Sequence, residues 1–352
     1  MKRKYTLGLI VIFSSIGIGI LIGKTMVPKK RSDKQFVSLI NSNHIHWIDP
    51  MIEVANQNHL SYQPIKSFEN KIEQAIEPYK IGNPKLNVSY VFKDLNTETE
   101  TVVNAKTLYA PASLMKIPVM VAVLKIAETK PSILQQQIQF VAKKYNLEEE
   151  SGFPKVDGNY YSVEDLLVQS IAYSDNDATY MLRLFIGEQN ISEAEDALGV
   201  HVNEGTSYKE DILDVESIVR LFTTLYESDY LGPVMSDKAL SILAESSYQK
   251  GIRKVIPHSL MVAHKYGVRF GNNKVKGSVQ NQLHQFGIVY FAGKPFLVGI
   301  MTKGADQKTL EEVIEKLTLV GYYEFINQLQ NYRKPNQVHH YTAKMIGHKY
   351  HS

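Results

Sequence analysis

The alternation of apolar and polar positions along the chain predicts strands at both ends of one domain, with helices between them. A helical stripe of apolar residues comes first, at residues 67–76. Residues 86–92 alternate as a strand, residues 101–105 are predicted as its hairpin partner, and further strand-like runs lie at residues 260–268, 285–291 and 295–302. A last helical pattern covers residues 310–328. Because the strands come from both ends, we expect an α+β fold in which an antiparallel sheet, flanked by helices, carries an inserted all-helical lobe.

The central part of the chain predicts this helical lobe. Residues 113–128 are nearly all apolar, which is typical of a helix buried on every side. Pro118 falls in the second turn of that helix and should remove one backbone hydrogen bond. The sequence Ser162-Val-Glu-Asp is a capping box that predicts the start of another helix. Further helical patterns lie at residues 178–186, 214–227 and 237–246.

The first 66 residues predict a membrane anchor and a stalk. Residues 5–23 are an unbroken apolar to weakly polar run, long enough to cross a hydrocarbon core of about 30 Å. Basic residues follow this run instead of a small-x-small cleavage site, so we expect an uncleaved, single-pass signal anchor in the cell membrane. The predicted division is a cytoplasmic N-terminus (1–4), the anchor (5–23), a stalk (24–66), the folded domain (67–330) and a basic tail (331–352).

The excess of basic residues lies at the two ends of the chain. Residues 1–34 contain eight Lys or Arg and one Asp, and residues 331–352 contain four basic residues and no acidic one. Basic ends on an acidic body favour contact with anionic lipid or wall polymer, whereas nucleic-acid binding would need a basic stripe on the folded domain. The chain has no cysteine, which excludes disulfides and a cysteine nucleophile. His44 and His46 lack a third ligand, so we expect neither a metal ion nor another cofactor.

A candidate nucleophile lies at the start of the buried central helix. Ser113 and Lys116 are three residues apart, a spacing that places both side chains on one side of a helix. Burial disfavours the ammonium form, so Lys116 could take the proton of the Ser113 hydroxyl. Taken alone, the pair is more typical of a helix N-cap followed by a lysine that reaches solvent. Ser247 and Lys250 repeat the spacing in a polar stretch with nothing to desolvate the lysine.

Two further elements could complete a site around Ser113. Ser174-Asp-Asn176 lies between two predicted helices, where Ser174 could relay a proton and Asn176 could bind a substrate amide. A plain helix N-cap is the alternative interpretation. Lys265 and Gly267 lie on a predicted strand, where a cation can bind a carboxylate and a glycine lets substrate approach the backbone.

The order and setting of these elements carry a resemblance. Ser-x-x-Lys, then Ser-Asp-Asn, then Lys-x-Gly resemble the motifs of class A β-lactamases and penicillin-binding proteins, and the resemblance covers residues 67–328. It implies a β-lactamase/transpeptidase-like fold. It also implies that Ser113 is acylated by a β-lactam or by a D-Ala-D-Ala peptide of the peptidoglycan stem. The domain would then lie outside the membrane, because peptidoglycan is there.

The same resemblance implies a role for each matching residue. Lys116 would activate the nucleophile, and Ser174 would pass a proton to the leaving amine. Asn176 would hold the amide of the acyl side chain, and Lys265 would attract the substrate carboxylate. The oxyanion hole would consist of two backbone N–H groups, those of the nucleophilic serine and of Val268.

Two positions depart from the family pattern. Tyr266 stands between Lys265 and Gly267, where the family has Thr or Ser, so carboxylate binding is expected to differ. Glu210 resembles the glutamate that activates water for deacylation, but a helix is predicted to begin at once near Asp214, which leaves a shorter loop than in the family. Glu210 is therefore either that base or a solvated acid. The alternatives are a β-lactamase, a penicillin-binding D,D-peptidase with slow deacylation, and a non-catalytic module that binds the cell wall.

Overall fold

The computed structural model describes residues 47–48, 66–145, 155–200, 210–271, 280–291 and 293–332. The predicted anchor, most of the predicted stalk and nearly all of the basic tail lie outside these ranges, so the predicted division of the chain stays a prediction. In the ranges that are described, no helix is both long and apolar enough to cross a bilayer.

The strands form one five-stranded sheet and a separate pair. In chain order they are β1 (Asn87–Asp94), β2 (Glu100–Val103), β3 (Gln137–Gln139), β4 (Tyr160–Ser162), β5 (Met261–Arg269), β6 (Gln282–Tyr290) and β7 (Phe296–Lys303). The larger sheet is antiparallel throughout, in the order β2-β1-β7-β6-β5. The N-terminal strand β1 thus pairs with the C-terminal strand β7, which confirms the α+β prediction of a sheet assembled from both ends. The order also leaves β5 at a free edge.

The helices lie on both faces of that sheet. They are α1 (Lys66–Gly82), α2 (Lys116–Thr129), α3 (Ala142–Tyr145), α4 (Val163–Ala172), α5 (Asn176–Ile186), α6 (Glu188–Ala197), α7 (Val215–Glu227), α8 (Pro233–Ala244), α9 (Ile252–Val255) and α10 (Gln307–Tyr332). Side chains alternate across each strand. On β7, Leu297 and Met301 therefore join the core of the helical lobe, whereas Val298 and Ile300 join the core under α1 and α10.

The buried helix α2 differs from its prediction at its N-terminus. Ala112–Met115 forms a 3₁₀ helix, and the α-helix begins only at Lys116. Pro118 consequently lies in the first turn of the α-helix, not the second. An amide in that turn has no acceptor within the α-helix, so the proline removes no bond of α2.

Among the other local predictions, one helix start is confirmed, one helix begins earlier than predicted, and one helix was not predicted. The capping box is confirmed, because the Ser162 hydroxyl accepts a hydrogen bond from the Asp165 N–H at 3.0 Å. Helix α8 begins earlier than predicted, since Pro233 occupies its first turn after Gly232. Helix α6 was not predicted. Its composition is largely polar, and only a narrow stripe of it is buried.

Part of the predicted stalk packs on the folded domain. The backbone N–H of Trp47 donates to Asp237 Oδ1 at 2.7 Å, and the Tyr290 hydroxyl donates to the Trp47 carbonyl at 2.6 Å. The indole meets the Tyr290 ring edge-on, with centroids 5.0 Å apart. The domain therefore includes contacts that begin before α1.

Candidate active site

Ser113 lies in the 3₁₀ helix that leads into α2, and a strained residue precedes it. Ala112 has φ +48°, in the left-handed region that costs a residue with a side chain about 1–3 kcal/mol. Such a conformation persists only where the surrounding structure fixes it, and it is common at functional sites.

Two side chains of β6 fix the segment before Ser113. Gln282 Oε1 accepts from the Ala110 N–H at 3.0 Å, and His284 Nε2 donates to the Ala110 carbonyl at 3.1 Å. The Thr302 N–H donates to His284 Nδ1 at 3.2 Å, which places the ring proton on Nε2. Burial lowers the pKa of His284 to about 3, so the imidazole stays neutral and keeps both bonds near neutral pH.

Lys116 joins the first motif to the second. Its side chain is buried at the start of α2. Its Nζ donates to the Ser174 carbonyl and to Asn176 Oδ1, the latter at 2.7 Å. The amine predicted as the base thus lies among the residues predicted as proton relay and amide binder.

Ser174 is the second strained residue of the site. It has φ +58° and lies at the junction between α4 and α5. Asp175 accepts from the Ala178 N–H at 2.6 Å and so caps α5. The same carboxylate pairs with Lys155 Nζ at 2.5 Å, and both side chains are fully buried. Capping and the buried ion pair hold the backbone turn at Ser174.

Lys265 joins the third motif to the second. Its side chain is fully buried, and its Nζ donates to Ser174 Oγ at 2.8 Å. Burial lowers the pKa of Lys265 well below its ordinary value, and repulsion by Lys116 lowers it further. Lys116, Ser174 and Lys265 thus form a connected chain of polar groups.

Gly267 brings β5 against the segment that carries Ser113. A Cβ atom at Gly267 would lie 2.4 Å from the Pro111 carbonyl oxygen and 3.1 Å from Leu114 Cγ. Only a residue without a side chain fits between the strand and the 3₁₀ helix. Val268, the predicted second oxyanion donor, follows it on β5 and is partly buried.

Tyr266 lies against Lys265 and stacks on a second tyrosine. Lys265 Nζ is 4.6 Å from the centroid of the Tyr266 ring. The Tyr266 ring is parallel within 19° to the Tyr248 ring, with centroids 4.0 Å apart. Burial raises the pKa of the Tyr266 phenol, and the Ser174 hydroxyl beside it acts in the opposite direction.

Glu210 is exposed, and its neighbour is tied to the sheet. Asp211 accepts from Gln282 Nε2 at 2.5 Å and from Lys303 Nζ at 2.6 Å. Burial raises the pKa of Asp211, but these donors outweigh it and hold the pKa below its ordinary value. Leu213 then exchanges backbone hydrogen bonds with Tyr109, just before the candidate nucleophile.

The repeated Ser-x-x-Lys pattern is separate from this site. The Ser247 hydroxyl donates to the Ala172 carbonyl at 2.9 Å, and Lys250 Nζ pairs with Glu311 at 3.0 Å, both on partly exposed side chains. Among the described residues, no group of His, Asp or Glu is arranged to hold a metal ion. His44 and His46 lie outside the described residues.

Four residues around the site were not singled out from the sequence: Lys155, Asp211, Gln282 and His284. A histidine and a glutamine on the core-facing positions of a strand give one usable signal, since buried polar side chains need partners. Lys155 gives none, because its partner is distant in the chain and its burial depends on tertiary packing.

Comparison with known proteins gives one family and many similar folds. The sequence matches the beta-lactamase enzyme family over residues 67–325. PBP-A is 18% identical, with a TM-score of 0.65 over 77% of this chain and 100% of that chain. A mutant of PBP-A, as the acyl-enzyme complex with penicillin G, has a TM-score of 0.63 at 18% identity over 76% of this chain and 99% of its own. A class A β-lactamase from Bacteroides cellulosilyticus DSM 14838 has a TM-score of 0.64 at 20% identity, over 76% of this chain and 100% of its own. No curated protein sequence matches the chain.

Proposed function

Because this chain belongs to the beta-lactamase enzyme family, we propose that it is a serine hydrolase in which Ser113 takes an acyl group from a β-lactam or an acyl-D-Ala-D-Ala peptide and passes it to water. The observation that carries the proposal is the hydrogen-bonded chain of Lys116, Ser174 and Lys265 beside the segment that bears Ser113. The same fold in a protein captured as an acyl-enzyme with penicillin G supports it.

Acylation would begin with attack of Ser113 Oγ on the substrate carbonyl carbon. A new C–O bond forms, and the serine proton passes to the Lys116 amine, which burial keeps ready to accept it. The carbonyl oxygen becomes an anion bound by the N–H groups of Ser113 and Val268. Each such donor contributes about 3–4 kcal/mol to stabilising the transition state.

Collapse of this intermediate would break the C–N bond. The leaving nitrogen takes the proton of the Ser174 hydroxyl, which recovers one from the Lys265 amine that already donates to it. Asn176 accepts from Lys116 through its amide oxygen, and we assign its amide group to the acyl side chain of the substrate, as the family resemblance implies.

Deacylation needs a water molecule to cleave the new ester and return the proton to Ser113. We assign its activation to Glu210, which is one of the two roles that the sequence leaves open for this residue. The segment between Glu210 and α7 spans only a few residues, and the Leu213 pairing with Tyr109 holds its end. A segment so short favours a second candidate, a penicillin-binding D,D-peptidase-like enzyme whose acyl-enzyme is long-lived.

The test is the intact mass of the protein after incubation with excess benzylpenicillin, together with the rate of antibiotic loss. We expect a covalent penicilloyl adduct that maps to Ser113 and is abolished by Ser113→Ala. Ser247→Ala is the matched control, because Ser247 has the same spacing to a lysine, and it should keep the adduct. Continuing antibiotic loss supports the β-lactamase, whereas a stable adduct supports the peptidase. Binding to muropeptides without any adduct, unchanged by Ser113→Ala, would instead indicate a non-catalytic wall-binding module.

Residues 5–23 are proposed as the anchor that holds this domain on the outer side of the cell membrane. A basic flank and an apolar run of bilayer-spanning length support the proposal. Membrane fractionation after alkaline extraction tests it: the full chain should stay in the membrane fraction, and a chain lacking residues 5–23 should not.

A further inference from the structure

Tyr266 occupies an unusual place for its position on β5. Consecutive residues of a strand point to opposite faces of the sheet, so Tyr266 and Lys265 should point apart. The Lys265 amine nevertheless lies 4.6 Å from the centroid of the Tyr266 ring. β5 is an edge strand of the described sheet, and its Tyr266 ring is turned towards the Lys265 amine. There it lies next to the Lys265–Ser174 hydrogen bond.

Tyr248 holds the ring in this position. The two rings are nearly parallel, with centroids 4.0 Å apart, so one face of each ring packs against the other ring. Burial raises the pKa of both phenols, so both rings are neutral at physiological pH. The pair forms an uncharged aromatic wall over the one side of Lys265 that faces the free edge.

Two neighbours of this wall do not supply a replacement cation. The cross-strand partner of Tyr266 is Gln285. Its amide oxygen accepts from the Ile252 N–H at 2.7 Å and its amide nitrogen donates to the Lys250 carbonyl at 3.4 Å. The Lys250 ammonium itself pairs with Glu311. A carboxylate that approached from the side of these rings would meet an uncharged phenol before it met the Lys265 amine.

We propose that Tyr266 is a specificity-determining residue that screens Lys265 from the cleft, so that the preferred acyl donors carry an uncharged ester or carboxamide where the family resemblance implies a carboxylate. The inference rests on the proposed acylation of Ser113, and it makes β-lactams and D-Ala-D-Ala peptides with a free carboxylate poorer acyl donors than their uncharged esters or carboxamides. Thr or Ser in place of Tyr266 would uncover the buried cation.

Two thioesters of one N-acyl-D-alanine test the inference on the full chain. One has mercaptoacetate as its leaving thiol, and the other has the methyl ester of mercaptoacetate. Attack by Ser113 breaks the C–S bond, and the thiol leaves with the serine proton. A thiol reagent then reports each turnover without background, because the protein has no cysteine.

The measured quantity is the kcat/KM ratio of acid to ester, corrected for the hydroxide-catalysed rates of the two thioesters. We expect a ratio of about one or below for the natural chain. Tyr266→Thr should raise it about tenfold or more, the scale of one charge-assisted hydrogen bond. Tyr266→Phe should keep the low ratio, because the ring remains.

Two results would overturn the inference while leaving the proposed function intact. One is a natural chain that prefers the acid about tenfold, which decides the matter even if the Thr variant does not fold. The other is a Tyr266→Phe ratio raised as far as that of Tyr266→Thr, which would assign the effect to the hydroxyl group. Failure of both thioesters and of penicillin to acylate Ser113, judged by mass, would refute the proposed function and the inference with it.

Discussion

Replacing Gly267 by alanine tests whether β5 must press against the segment that carries Ser113. The new methyl group would lie 2.4 Å from the Pro111 carbonyl oxygen, far inside contact distance, and 3.1 Å from Leu114 Cγ. The first neighbour is backbone and cannot rotate away. The strand and the 3₁₀ helix therefore have to separate by several tenths of an ångström to about 1 Å.

Two effects of different size follow from that separation. Overpacking of this kind costs about 1–3 kcal/mol of folding stability. A displacement of about 1 Å between nucleophile and oxyanion donors can cost about a hundredfold in rate. We therefore expect Gly267→Ala to remain folded but to be acylated at Ser113 about a hundredfold more slowly.

The assay is the second-order rate constant for acylation by a fluorescent penicillin, measured with the urea unfolding midpoint. Gly82→Ala is the matched control, because Gly82 also follows a lysine by two residues and its added Cβ would meet nothing within 4 Å. That control should change neither quantity. A Gly267→Ala protein acylated at the natural rate would refute the idea that this close approach builds the site.

Three further predictions concern the groups that support the site. Burial lowers the pKa of His284 in the folded protein to about 3, so below pH 6.5 the unfolded chain binds more protons than the folded protein. The free energy of unfolding should therefore fall by about 1.4 kcal/mol per pH unit as the pH drops from 6.5 towards 3. His284→Gln should remove that increment in urea unfolding at pH 7 and pH 5, while the similar increment from His264 remains. Lys155→Met removes the cation that pairs with the buried carboxylate of Asp175 and should cost about 3–5 kcal/mol, most of it recovered in the double variant with Asp175→Asn. Trp47→Ala should lower the free energy of unfolding by about 3–5 kcal/mol, and an unchanged unfolding midpoint would contradict the packing of this segment on the domain.

The sequence predicts those features of the fold that depend on local pattern. Residues of β7 alternate between two cores, so both faces are buried and the strand is visible as a short apolar run, whereas α2 is visible as a longer unbroken apolar run. The three motifs could be recognised because each has a fixed local spacing. The 3₁₀ geometry around Ser113 could not be predicted from the sequence. It depends on which carbonyl accepts each backbone hydrogen bond once side chains of β6 hold the segment in place.

The candidate site shows the same division between local and tertiary information. The sequence identifies Tyr266 as a departure from Thr or Ser, but its contacts with the Tyr248 ring and the Lys265 amine arise only in the folded domain. Likewise Lys155 becomes a partner of Asp175 only when the chain between them folds. Spacing in the sequence identifies the candidate site residues. Their roles depend on the sheet edge and on the burial of side chains, which arise only in the folded domain.

The two strained residues suggest how the site is kept in a reactive arrangement. Ala112 and Ser174 both have a left-handed backbone; Ala112 directly precedes Ser113, and the Ser174 carbonyl accepts from the Lys116 amine. A buried network of side chains that are not predicted to be catalytic stabilises each strained turn. Gln282 and His284 hold the segment before Ala112, and the ion pair of Lys155 with Asp175 holds Ser174. Because the supporting bonds are separate from the reacting ones, proton transfers among Lys116, Ser174 and Lys265 can occur without release of either turn. Substitutions in the supporting networks are therefore expected to lower stability and acylation together, whereas substitutions of the reacting groups lower acylation alone.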